Sequence, residues 1–118
     1  MDYQKIRTIQ QSENNKPTLN KIAGNLYIET RKHIDELEND GNIKEAKQIQ
    51  EILDDIILKR LEKITRMSLS VVRGGKPNLE STSTNEQEAY TNILEVLKQT
   101  RKKAFNCQEE INDKKESM

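Results

Sequence analysis

The sequence predicts an all-α domain, a bundle of four to five helices around one long central helix. Two observations predict it. Residues 42–73 form a run of 32 residues without Gly or Pro, and its apolar residues Ala46, Ile49, Leu53, Ile56, Ile57, Ile64, Met67 and Val71 recur at helical spacing. No stretch alternates apolar and polar residues as a half-buried strand does. At 1.5 Å per residue the run spans ~48 Å. Gly41 stands before it and Gly74-Gly75 after it, where helix punctuation belongs.

Before the long helix, residues 2–12 are expected to form a short helix on Ile6 and Ile9. Residues 13–17 are polar, contain Pro17, and read as a connector. Residues 18–22 are expected as a helical turn with Leu19 and Ile22 inward. The next helix covers about residues 25–40, with Leu26, Tyr27, Thr30, Ile34 and Leu37 on its inner face and Gly41 as its C′ glycine. So short a break makes an αα-hairpin, with this helix antiparallel to the start of the long one.

The two halves of the long helix differ. Residues 44–55 hold four acids, two lysines and a single apolar stripe. Residues 59–73 hold five Lys/Arg against Glu62 alone, an order that suits the helix dipole. A second apolar row, Leu58, Leu61, Leu69 and Val72, lies there on the flank away from Ile56 and Met67. One helix with two apolar flanks needs two sets of neighbours: either the chain wraps that half or another subunit covers it, and the row is expected as the partner-binding one.

After the long helix, residues 74–83 (GGKPNLESTS) read as a loop. A last helix is expected from Thr84 to about Asn106, opened by Thr84 and Gln87 at capping-box spacing. Its stripe is Tyr90, Ile93, Leu94, Leu97, Ala104 and Phe105. Residues 107–118 read as a charged tail or the start of a linker, which leaves residues 1–106 as one helical domain.

Composition narrows the function classes. Hydrophobic residues make up 32% and charged residues 34%, so the core must rest on few Ile and Leu side chains. Twenty Lys/Arg balance twenty Asp/Glu, which argues against a protein built mainly to neutralise nucleic acid phosphates. The single Cys107 excludes an intrachain disulfide and a multi-Cys zinc site. No apolar run reaches the ~20 residues of a membrane span, and the first residues do not open a signal peptide. A cytoplasmic protein without membrane contact is expected.

Catalytic constellations are not found, and no enzyme activity, metal or cofactor is expected. His33 has no His or Cys at ligand spacing and reads as a surface or half-buried helical residue. Asp54-Asp55 and Glu109-Glu110 are adjacent pairs that diverge by ~100° on a helix. Gly74-Gly75-Lys76 follows a helix rather than a strand, and so reads as a helix stop.

Arg60 lies at the angular centre of the main apolar face, between Ile56 and Ile57 on one side and Ile64 and Met67 on the other. A buried arginine must be paired. Its partner sits either at the domain's own helix junction or across a subunit boundary. Glu29, Asp35, Glu36, Glu88 and Glu95 are the carboxylates expected within reach. Lys59, Lys63, Arg66 and Arg73 form a basic row on the remaining flank, read first as a solvated face and second as a nucleic acid contact.

The segment Arg60-Leu61-Glu62-Lys63-Ile64, continued by Thr65-Arg66-Met67-Ser68-Leu69, resembles the R-L-x-K-I helix of GINS subunits, replication factors that join the MCM helicase. Ile22-Ala23-Gly24-Asn25-Leu26-Tyr27, continued by Ile28-Glu29-Thr30-Arg31, is similar to that family's L-P-x-x-F-Y-x-x-V-R entry to its second helix, without the proline. Asn85-Glu86-Gln87-Glu88-Ala89-Tyr90, with Ile93, Leu94 and Leu97, resembles its T-x-E-E-x-x-x-Y-x-x-L helix. The resemblance covers residues 2–103 and implies a helical A domain of the archaeal type that places this domain first. In that type a β-rich B domain follows. Residues up to Met118 carry no strand pattern for one, so the B domain is absent from this sequence, which reads either as a truncated chain or as an A-only protein.

The resemblance also implies a non-enzymatic scaffold subunit in chromosomal DNA replication, associated with the nucleoid. It would assemble with itself or a sister GINS subunit, as a dimer to tetramer, and bridge MCM and a RecJ-like protein. DNA binding would be weak at most. The alternatives from the residues alone are a nucleic-acid-binding module using the basic row and a generic helical dimerisation adaptor.

Overall fold

The computed structural model describes residues 2–106. Among them are four helices: α1 (Tyr3–Asn15), α2 (Leu26–Asn39), α3 (Ile43–Val72) and α4 (Thr84–Phe105). Each of the other three packs on α3 rather than mainly on its neighbours. The molecule is accordingly elongated, 58 × 37 × 23 Å.

Several boundaries have a local cause. The Asp2 side chain accepts from the Lys5 amide at 2.8 Å and caps α1. α2 ends where Gly41 takes a φ of +83°, and the Asn42 amide closes on the Leu37 carbonyl at 2.8 Å. α3 ends in the same way: Gly74 has a φ of +109°, and the Gly75 amide reaches the Ser70 carbonyl at 2.9 Å. Gly75 also sits so close to Ser70 that an added Cβ would lie 2.6 Å from its Oγ.

The helix directions follow from the contacts along α3. Tyr3 lies near Lys44, Gln10 bonds Asp55, and Glu13 bonds Arg60, so α1 runs parallel to the first half of α3. The hairpin at Gly41 sends α2 antiparallel to that half. Glu86 meets Arg60 and Arg101 meets Val72, so α4 runs parallel to the second half. The main core therefore belongs to the first half, where Ile6, Leu26, Ile34 and Leu37 close on Ala46, Ile49, Ile52 and Ile56. Among the described residues, the second half is an arm of two helices, in which α4 is the only helix lying along α3.

Several expectations are corrected. α1 continues through residues 13–15, past the expected connector, and Glu13 is buried in its last turn. Residues 18–22 form no helical turn. Their Thr18 and Asn20 carbonyls accept from Lys63 and Arg60 instead, so the backbone is turned toward cations on α3. Ile52 belongs to the core although it lies off the main stripe. The capping box of α4 is Ser83 with Glu86, one residue earlier than expected. Ala104 and Phe105 are exposed because α4 outruns the end of α3. Cys107, Glu109-Glu110 and the charged tail lie outside the described residues.

Candidate functional site

Halfway along α3, the C-terminus of α1, the N-terminus of α4 and two loops converge on one arginine. Arg60 is fully buried, and each of its five N–H donors has an acceptor. Nε donates to Glu86 Oε2 at 2.6 Å, and Nη2 donates to Glu86 Oε1 at 2.9 Å and the Ser81 carbonyl at 2.8 Å. Nη1 donates to Glu13 Oε1 at 2.9 Å and the Asn20 carbonyl at 2.6 Å. One turn further on, the buried Lys63 Nζ donates to Glu13 Oε2, the Glu13 carbonyl and the Thr18 carbonyl. Two cations thus face two carboxylates, and the junction is neutral.

Glu86 serves two structures at once. As the third residue of α4 it returns a bond to the Ser83 amide at 3.0 Å, completing the capping box, while both of its oxygens hold Arg60. Burial alone would raise its pKa, but the Arg60 guanidinium and the Ser83 amide hold the carboxyl below the ordinary range. Burial alone would likewise lower the pKa of Arg60, and the bonds to Glu86 and then Glu13 reverse this, so the guanidinium is still harder to deprotonate. The Tyr27 hydroxyl is pushed up by burial and by the negative charge of Glu86.

The partners of Arg60 are therefore Glu13 and Glu86. None of Glu29, Asp35, Glu36, Glu88 or Glu95 reaches it, and the junction lies within the chain. Glu13 hid inside a segment read as a connector. Glu86 stood beside Glu88 in the last helix, and its capping-box spacing to Ser83 was the available signal. Lys63 is corrected as well: it points into the junction rather than along the basic flank. Lys59 and Arg66 lie on that flank, and both lean on Glu62, Lys59 at 3.8 Å. Arg73 is exposed at the end of α3.

The second apolar row stands on the outside of the arm. Leu58 is 57% exposed, Leu69 42% and Leu61 36%, and Val72 is half-buried. Thr65 lies among them and is exposed, its hydroxyl donating back to the Leu61 carbonyl. No other described helix covers this row. His33 is half-buried on α2, with Nδ1 4.0 Å from Glu36. Among the described residues no group of three or more His, Cys, Asp or Glu is placed to hold a metal ion. No described helix is long and apolar enough to cross a membrane.

These features define a helical bundle domain pinned at a buried charge junction and carrying an apolar arm. Residues 1–105 match the Sld5 family model, described as the GINS complex protein helical bundle domain. The chain belongs to the GINS family. Comparisons with curated proteins and with solved structures gave no match.

Proposed function

We propose that this chain is a scaffold subunit of a GINS complex in chromosomal DNA replication, acting by assembly rather than by turnover. The observation that carries this reading is the apolar row Leu58, Leu61, Leu69 and Val72, its leucines exposed and Val72 half-buried, on an arm where α3 has one helical neighbour among the described residues. Burying a Leu side chain is worth ~1.5–3 kcal/mol, so a row of this kind gains most when another subunit covers it. The row is presented on α3, a single helix continuous with the body of the domain, and the junction at Arg60 ties the start of α4 to its middle. The partners of the proposal are itself or a sister GINS subunit, and through that assembly the MCM helicase and a RecJ-like protein of an archaeal-type replisome. The nucleic-acid reading is the weaker one, because Lys63 is turned inward and Lys59 and Arg66 share Glu62.

Light scattering tests the assembly. The parent chain is expected to show an oligomeric mass in the micromolar range, and Leu61→Glu combined with Leu69→Glu to reduce it to a monomer with the helical signal intact. A parent chain still monomeric at high micromolar concentration, and without added mass when a sister subunit is supplied, would refute the reading. Co-purification with MCM, lost in the double variant, distinguishes a replication scaffold from a generic dimerisation adaptor.

A further inference from the structure

Zero net charge conceals a polar molecule. Residues 2–58 carry eight Lys/Arg and eleven Asp/Glu, whereas residues 59–106 carry ten and five. The imbalance is strongest at the tip of the arm. Between Glu95 and Asn106 there are four cations, Lys98, Arg101, Lys102 and Lys103, and no carboxylate. Lys98, Arg101 and Lys102 line a groove with Val72, the last residue of the apolar row. Arg101 turns one donor to the Val72 carbonyl at 2.8 Å, which offsets the negative end of α3, and Lys102 and Lys103 are exposed. At the other end of the row, on the same face of α3, stand the exposed Asp54 and Glu51. Along one face the order is therefore acidic, apolar, basic.

Resting on the reading of the apolar row as an association surface, we propose that its occupant is a second copy of this chain laid antiparallel. Thr65 would lie near the two-fold axis, with Glu51 and Asp54 of each copy opposite the lysine-rich tip of the other. The spacing fits. Asp54 lies eleven residues before Thr65, about 16 Å along the helix. Since Arg101 sits level with Val72, the tip lies ~10–14 Å beyond Thr65, and a lysine side chain spans the difference. A parallel pair would instead set lysines against lysines and carboxylates against carboxylates. From Glu51 to Val72 the face is ~33 Å long and two helices are ~20 Å wide. That footprint of roughly 650 Å² approaches the ~800 Å² per partner of stable complexes. An isologous interface of this kind closes on itself and leaves no sticky end.

Charge reversal tests the order of the two ends. One variant carries Lys102→Glu and Lys103→Glu, the other Glu51→Lys and Asp54→Lys; all four side chains are exposed. Urea midpoints first establish that both fold as the parent does. In the antiparallel pair each variant alone opposes like charges at both contacts, and its dimer is expected to weaken at least tenfold by light scattering. Mixing the two restores opposite charges at both contacts, and a mixed dimer of parent-like affinity is expected. Variants that each dimerise like the parent would overturn the antiparallel order while leaving the apolar row as the interface. A parent chain that pairs only with a sister subunit would overturn self-pairing and leave the assembly reading standing.

Discussion

Glu86 holds Arg60 through both carboxylate oxygens, at 2.6 and 2.9 Å, while the same side chain caps the helix it starts. The first turn of α4 is thereby tied to the midpoint of α3 by one bidentate pair. Buried ion pairs are weak sources of net stability but strong constraints on arrangement. Here the constraint fixes where the first turn of α4 sits against α3.

Arg60→Ala is expected to lower stability by ~3–5 kcal/mol, because it strands Glu86 and part of Glu13 in a buried site. Arg60→Lys should also destabilise, since an ammonium cannot reproduce the fork that meets Glu86 and Glu13 together. Arg66 is the control. It bonds Glu62 on the exposed face, and Arg66→Ala should cost at most ~0.5 kcal/mol. Equilibrium urea unfolding checks all three, and equal midpoints for the two alanine variants would contradict the burial of Arg60.

Acid should weaken the junction in a defined window. The pKa of Glu86 is lower in the folded chain than its ordinary value, ~4.3 for an unfolded Glu. Its contribution is therefore complete above that value and lost as pH falls through the folded pKa. The Arg60 pKa is raised, so the guanidinium contributes at every pH below its ordinary range and adds no step near neutrality. The stability gap between parent and Glu86→Gln should be level from pH 6 to 8 and shrink from pH 4.5 to 3. A gap of constant size across the acid range would disprove the assignment.

Glycine at position 75 is expected to be required for close approach. An added Cβ would meet Ser70 Oγ at 2.6 Å and the Ser70 carbonyl at 3.0 Å, the acceptor that closes α3. Gly75→Ala should cost ~1–2 kcal/mol. Gly24 has nothing within 4 Å of the same position and no positive φ, so Gly24→Ala should be neutral or slightly stabilising through the unfolded chain. Thermal unfolding of the two variants in parallel reads the difference.

Binding to duplex DNA should be weaker than ~10 µM at physiological salt and without sequence preference. Of the four cations expected on the α3 flank, Lys63 is buried in the junction and Lys59 and Arg66 share a carboxylate. Fluorescence anisotropy measures it, and sub-micromolar affinity at that salt would favour a nucleic-acid-binding module over a scaffold.

Helices, their order and the exposed row were legible in the sequence because each depends on local periodicity and punctuation. The glycines at 41 and 74–75 end α2 and α3 where they were expected to, and the inner face of α2 is the one its spacing marks out. Burial of Arg60 was legible too, since its angle on the helix depends only on residue number. Its partners were not. Glu13 and Glu86 lie 47 and 26 residues away, and only packing sets which loop carbonyls and carboxylates arrive beside a side chain. Lys63 shows the same limit from the other side: at ~60° from Arg60 on the helix wheel, it had equal reason to face water or the junction. The carboxylate and carbonyls brought by α1 and the following loop decided it, because a lysine with three acceptors in place is held inward against the cost of leaving water.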